Sequence, residues 1–292
     1  MSTSILYDTP GPRSRRRTAI GSVVAGVAIL AALALVVQQL AEQGQFDLEL
    51  WSPWIDPTDE QFPAVWDLIT EAAINTLTAA VLAMAFSLVI GTLLALSRIT
   101  AAAWYRWIIV GVVELLRGIP VVIAIFFAAR VLPQFGLDLP TLWYLVIGLT
   151  AYNSVIIAEI VRAGINSLPR GQREAAESLG LRRSQVLAQV LLPQAFRVML
   201  PALISQLVVV LKDTSLGFII SYEETVNTAG IIIQNLRNPI QTYLIIAVLF
   251  IVVNYALSRL AVYIEYRLSR GKKSVSKKAE EATMSEAGTA GA

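Results

Sequence analysis

Cysteine and histidine are both absent from these 292 residues. No disulfide, Cys/His metal site, thiol nucleophile or His-based acid/base pair can therefore form. Also missing is a Gly-x-x-x-x-Gly-Lys-Ser/Thr loop: the nearest approach, Gly271-Lys272-Lys273-Ser274, has Tyr266 where the first glycine belongs. The chain cannot hydrolyse ATP in the P-loop manner, so any energy it uses comes from another polypeptide. Charge is scarce, at 15% of residues, while 56% are hydrophobic and collected in long runs. Those runs exceed the roughly 18 residues needed to cross a hydrocarbon core, which places the chain in a membrane.

The net charge of +2 is small, but its distribution is informative. Arg13, Arg15, Arg16 and Arg17 directly precede the first apolar run, 18–37. The following interval, 38–72, carries Glu42, Asp47, Glu49, Asp56, Asp59, Glu60, Asp67 and Glu71 without a single Lys or Arg. By the positive-inside rule the basic segment 1–18 is cytoplasmic and the acidic segment 41–72 lies outside. The first run is too long for the apolar stretch of a signal peptide, and no small-x-small cleavage site follows it.

Hydropathy predicts six spans, at 19–40, 73–97, 118–135, 141–161, 198–220 and 240–262. The interval 101–116, which opens Trp104-Tyr105-Arg106-Trp107, reads as a helix lying in the membrane interface. A continuous helix over 106–132 would leave Glu114 and Arg117 in hydrocarbon at several kcal/mol. Arg98, Arg106, the arginines of the loop after the fourth span and those after the sixth fall on the cytoplasmic side, so both termini are expected inside. The outer segment holds Trp51, Trp54 and Trp66, expected as anchors at the outer interface. The tail 266–292 has almost nothing to bury and is expected to be disordered.

The loop 164–194 carries the most specific pattern: Glu174-Ala175-Ala176, then Gly180, then Val190-x-Leu192-Pro193. Glu174, Ala175, Ala176, Glu177 and Leu179 are good helix formers, and Gly180 is placed to end that helix. A second short helix over 183–191 is expected to stop at Pro193, which lacks an amide donor. Two short helices at an angle make a compact knob projecting from the membrane.

That loop resembles the signature cytoplasmic loop of ABC importer permeases, and the resemblance extends on both sides. Upstream stand Ala151-Tyr152-Asn153, the series Ala158-Glu159-Ile160-Val161-Arg162-Ala163-Gly164-Ile165 and then Leu168-Pro169-Arg170-Gly171-Gln172. Downstream follow Gln194-Ala195-Phe196-Arg197, Pro201-Ala202-Leu203 and Leu211-Lys212-Asp213-Thr214-Ser215-Leu216. The series, over about residues 73–265, looks like the polar amino-acid branch, the histidine/glutamine/glutamate-type permeases. The resemblance implies the all-α type I importer fold in a bacterial cytoplasmic membrane. It implies a pair of ATPase subunits using ATP and Mg, a second homologous permease or a second copy of this chain, and an extracytoplasmic amino-acid-binding protein. This chain itself would bind no cofactor and no nucleic acid. Glu174, Ala175, Ala176, Gly180, Leu192 and Pro193 would form the coupling element docked on the ATPase. One departure stands out: 121–126 is wholly apolar, where such permeases often carry a Gln.

Polar residues inside spans usually face a cavity or a partner, because burying charge in the bilayer is costly. Lys212, Asp213, Thr214 and Ser215 in the fifth span, with Asn153 in the fourth, offer donors and acceptors for a zwitterionic amino acid. The other reading of Lys212 and Asp213 is a polar clamp between subunits. Glu159 and Arg162, three apart, share a helix face and suit an ion pair near an inner gate. Asn75 and Thr76 suit either the lining of the outer mouth or a helix cap. The best substrate expectation is glutamate or another acidic amino acid, since Lys212 can offset a side-chain carboxylate. The alternative from another class is an ion-coupled secondary transporter, which predicts inverted repeats that the sequence does not display.

Overall fold

The computed structural model describes residues 11–100 and 103–289, and every regular element among them is helical. Helix is the one open-ended structure that satisfies all its backbone donors and acceptors within itself, as hydrocarbon requires. The chain divides into two compact units, Met1–Phe62 and Pro63–Ala292.

The first unit holds α1 (Pro12–Glu42) and α2 (Leu48–Ile55). Proline in its first turn opens α1, and Gly44 at φ +69° turns the chain after it. The arginines of the basic segment already lie in α1; residues 1–10 of that segment are outside the described residues. No residue of α1 is buried, so its apolar side chains face outward along its whole length. Of the three tryptophans expected as anchors, Trp54 is buried and Trp51 and Trp66 are half-buried, Trp51 Nε1 donating to the Gln45 carbonyl at 3.1 Å.

The second unit begins with α3 (Phe62–Thr100), which starts some ten residues before the expected span. Next come α4 (Ala103–Gly118) and α5 (Val121–Val131), the latter extended by a 3-10 turn, Leu132–Phe135. These two are bent by 99° at Ile119-Pro120, which excludes one continuous helix. Proline has no amide to continue the ladder and holds its predecessor out of the helical region. On α4, Trp104 and Trp107 are exposed while Val113 is buried, the two-sidedness of an interfacial helix. Residues 101 and 102 of that expected segment lie outside the described residues.

The central element is α6 (Thr141–Asn166), more than half of whose residues are buried. Its neighbours approach at glycines. A Cβ on Gly148 would stand 2.5 Å from Ile125 Cα of α5, and one on Gly91 of α3 would stand 2.6 Å from the Ser154 carbonyl. Both contacts are with backbone, so only glycine permits this spacing; small residues at such crossings are how membrane helices gain close packing.

After α6 come α7 (Arg170–Ser178), the single turn α8 (Arg183–Gln185), a π-helical turn Val186–Leu191, and α9 (Leu192–Asp213). A 3-10 segment, Thr214–Ile220, leads on to α10 (Thr225–Leu236) and α11 (Pro239–Thr289). One buried cluster joins Ile157, Val161 and Ile165 of α6 to Leu187, Leu191 and Met199; a second joins Leu145 and Leu149 to Ala79, Ile125 and Val210. Among the described residues five helices are long and apolar enough to cross a membrane, or six if the bent pair counts as one span.

The tail differs from expectation. Helix α11 continues past the apolar part, Pro239–Ile264, to Thr289, where the sequence reading has 266–292 disordered. Lys277-Lys278-Ala279-Glu280-Glu281-Ala282 are good helix formers. They propagate a helix that the span has already nucleated, so the costly first turn is not repeated. Residues 290–292 lie outside the described residues.

Candidate coupling loop and substrate path

The knob is built by α7 and the turn that follows it. Gly180 has φ +78°. Its N–H donates to the Glu177 carbonyl at 3.0 Å, and the Leu181 N–H reaches back to the Ala176 carbonyl at 3.3 Å. This paired closure of a helix C-terminus requires a left-handed residue, hence glycine. Nothing lies within 4 Å of the space a Cβ would fill there, so the constraint is purely conformational.

The three signature residues separate on the helix. Glu174 and Ala175 are exposed, whereas Ala176 is buried and packs in the cluster with Val186 and Leu187. Ala176 is thus turned into the fold, and its small size lets α7 sit close on the following segment. Sequence reasoning missed Leu179, which is 82% exposed at the knob's end. An apolar side chain so exposed on a polar loop is what a protein-facing surface presents.

Pro193 does not end the second knob helix. The chain runs from Arg183 through the π turn into α9 without a break, so the knob is continuous with the fifth span. In an α-helix the proline ring clashes with the carbonyl four residues earlier and leaves it without a donor. Here the π turn, with its i→i+5 pattern, absorbs both defects. Pro193 is exposed and Leu192 half-buried. Gln194 Nε2, bonded to the Val190 carbonyl at 2.9 Å and Gln172 Oε1 at 3.2 Å, ties the start of α9 to α7.

At the knob end of α6, Glu159 takes two arginines. Arg162 donates from Nε and Nη2 to Oε2 at 2.8 and 2.6 Å, and Arg98 from α3 donates to Oε1 at 2.5 Å. The predicted ion pair is therefore a triad that links α6 to α3. Arg98 was legible as a charge in the last turn of α3, but its partner, 61 positions away, was not.

Further along α6, Asn153 is buried. Its Nδ2 donates to the Leu149 carbonyl at 2.8 Å, and its Oδ1 accepts from Gln206 Nε2 of α9, also at 2.8 Å. Gln206 was overlooked, although an amide in mid-span is itself a signal. Thr214 and Ser215 spend their hydroxyl protons on the carbonyls of Leu211 and Lys212, at 2.6 and 2.7 Å. Asp213 is half-buried. Lys212 is exposed and ends a stripe on α9 that runs Val198, Ala202, Ser205, Val209, Lys212 at three- and four-residue spacing, all exposed. Those residues share one helix face.

At the opposite end of α3, Asn75 and Thr76 lie well inside the helix and do not cap it. They hold the segment 222–225 instead. Asn75 Nδ2 donates to the Glu223 carbonyl at 3.0 Å, Tyr222 OH donates to the Asn75 carbonyl at 3.0 Å, and Thr76 Oγ1 meets Thr225 Oγ1 at 2.8 Å. Within this latch Glu224 is fully buried and caps α10, accepting from the amides of Val226 and Asn227 at 2.8 and 2.7 Å. Burial pushes its carboxyl up to about 7 against the pull of those two amides. Loss of solvent, with the Glu224 carboxylate nearby, raises the Tyr222 phenol as well.

Residues 87–270 match the family described as "Binding-protein-dependent transport system inner membrane component". The chain belongs to this family. Among its relatives, the glutamate transport system permease protein GluD of Corynebacterium glutamicum is 39% identical over 240 residues, covering 80% of this chain and 85% of that one. The probable glutamine ABC transporter permease protein GlnP of Bacillus subtilis is 33% identical over 215 residues, covering 72% and 96%. The crystal structure of an amino acid ABC transporter with histidines superposes with a TM-score of 0.64 at 29% identity, over 70% of this chain and 96% of that one. The MetNI methionine ABC transporter, in an inward-facing form, superposes at 0.58 and 21% identity over 71% and 99%, and shows the fold alone. The protein is a permease subunit of the polar amino-acid branch of ABC importers, with the type I membrane fold, in the cytoplasmic membrane. ATP hydrolysis in this family belongs to separate chains.

Proposed function

We propose that this permease carries an acidic amino acid, glutamate foremost. The observation that carries the proposal is Lys212: an exposed ammonium at the end of the uncovered α9 stripe, with no ion pair among the described residues. A cation facing the path at membrane depth suits a substrate with one carboxylate more than a neutral amino acid has. The relation to a permease named for glutamate points the same way. Asn153, Thr214 and Ser215, whose protons are engaged within the fold, shape the wall behind Lys212, and Asp213 clamps the second permease. That second permease is a homologue or another copy of this chain.

In this reading two ATPases close on ATP and Mg and draw together the knobs that carry Glu174, Ala175 and Gly180. Because the knob is continuous with the fifth span, its displacement moves the stripe bearing Lys212 directly. The path then opens outward to the extracytoplasmic binding protein, and inward after hydrolysis, with the Arg98–Glu159–Arg162 triad at the inner gate. An ion-coupled secondary transporter is not favoured, since the family is one of binding-protein-dependent systems.

The test is ATP-dependent uptake of labelled glutamate by the complete transporter in proteoliposomes. Unlabelled aspartate should compete, and neutral or cationic amino acids should not. Equal competition by all classes refutes the acidic assignment, and failure to copurify with an ATPase refutes the importer. With both termini inside, a reporter that works only in the cytoplasm is active after Arg17, Gly180 or Arg270 and silent after Asp56 or Glu224.

A further inference from the structure

The stretch from Tyr222 to Leu236, which carries α10, is bracketed by Ser221 at φ +56° and Arg237 at φ +54°. Among the described residues these are the only ones bearing a side chain in the left-handed region. Each closes a helix: the Ser221 N–H donates to the Phe218 carbonyl at 3.1 Å, and the Arg237 N–H to the Ile233 carbonyl at 2.8 Å. Glycine ordinarily takes that place, and a larger residue stays there only while its surroundings hold it. Outside the brackets the chain is fixed, with Thr214 and Gly217 buried before Ser221, and Asn238 and Thr242 buried after Arg237.

Where the stretch meets α3, what holds it is polar. Asn75 and Thr76 take Tyr222, Glu223 and Thr225 through hydroxyl, amide and carbonyl groups, and Thr76 Oγ1 also accepts the Thr225 N–H at 3.1 Å. Beside the two threonines lies an apolar crevice of about 40 Å³, lined by Leu77, Leu211, Phe250 and Val253, so the latch is not close-packed on that side. Water replaces such hydrogen bonds when two surfaces part, which leaves their net hold small. The position of the latch supplies a task. It lies at the end of α3 opposite Arg98 and directly follows the fifth span, whose uncovered stripe ends at Lys212. The knob is at the other end of that same span, so its displacement reaches Ser221 through Thr214–Ile220. We propose that Tyr222–Leu236 is a strap hinged at Ser221 and Arg237, fastened to α3 across the outer mouth of the path and released when the path opens outward. The strap rests on the reading of this chain as an importer permease, but not on which amino acid is carried.

The experiment is amide hydrogen exchange on the complete wild-type transporter in nanodiscs with its binding protein, compared without nucleotide and trapped with ADP and vanadate. The Thr225 amide, bonded to Thr76, reports the latch. Peptides covering 222–228 should exchange about tenfold faster or more in the trapped state, while those from the middle of α6 stay as protected as before. Equal protection of 222–228 in both states overturns the strap, and so does equal loosening of α6, which would mean that the whole bundle relaxes. A second measurement uses the absence of cysteine. The hydroxyl oxygens of Thr76 and Thr225 are 2.8 Å apart, so Thr76→Cys with Thr225→Cys places two thiols within disulfide reach. Cross-linking should cut ATPase activity stimulated by the binding protein about tenfold or more, with recovery on reduction and no effect of oxidant on either single variant. Undiminished activity of the cross-linked complex overturns the strap. A complex that traps no nucleotide refutes the importer and takes the strap with it, whereas trapping with an unmoved latch refutes the strap alone.

Discussion

Replacing Glu224 with Gln should remove this carboxyl's share of the pH dependence of stability, so that the stability curves of variant and wild type cross within a defined window. The side chain is fully buried, and burial raises its carboxyl from an ordinary 4.5 to about 7. The fold therefore prefers the protonated acid. The stability this contributes is complete below pH 4.5 and is lost as the pH rises through about 7. At about 1.4 kcal/mol per tenfold in proton affinity, the full swing is roughly 3 kcal/mol at most. Glutamine keeps the shape and one acceptor oxygen but does not titrate. It gives up one of the two cap bonds to the Val226 and Asn227 amides, at about 1 kcal/mol. The variant should be the less stable protein at pH 5 and the more stable at pH 8, by about 2 kcal/mol at the alkaline end. Thermal denaturation of the purified complex in detergent, read across that range for both proteins, measures the crossing directly. Parallel curves, with the variant below wild type throughout, would refute the claim that burial of this carboxyl opposes its charge.

Gly180→Val must place a β-branched residue at φ +78°, at more than about 1–2 kcal/mol; uptake and binding-protein-stimulated ATPase activity should both fall while membrane insertion persists. Normal uptake would remove this loop from the coupling path. Gly148→Val drives a side chain into Ile125 and should cost about 1–3 kcal/mol in a detergent unfolding assay, whereas Gly111→Ala, in open space, should change little. Gln206→Leu strands the Asn153 carbonyl oxygen and should destabilise the α6–α9 packing by about 1–3 kcal/mol; an unchanged melting point would mean that the amides do not hold these helices together. Lys212→Ala should raise the apparent KM for an acidic substrate with the complex intact. Asp213→Ala should instead weaken assembly with the second permease, so identical behaviour of the two would contradict their separate roles.

Membrane residence, helical class and the glycine-ended helix of the loop after the fourth span were all readable from order along the chain. Apolar runs, arginine placement and the spacing from Glu174 to Pro193 are local properties, and the bilayer enforces them without reference to distant partners. The glycine at 180 was equally local: a left-handed helix end needs it wherever the helix packs. Tertiary structure decided the rest. Whether Ala176 faced outward depended on the surface offered by Val186 and Leu187, and the partners of Glu159 and Asn153 lie 61 and 53 positions away. Propensity placed a helix end at Pro193, yet the packing of Leu187, Leu191 and Met199 on α6 kept the chain helical through it. The burial of Glu224 had no sequence signature, because desolvation is set by what surrounds a carboxyl and not by its neighbours in the chain. Hydrophobic pattern and turn chemistry act over a few residues, whereas which polar groups meet, and which are left facing an open path, is fixed only when distant helices close on one another.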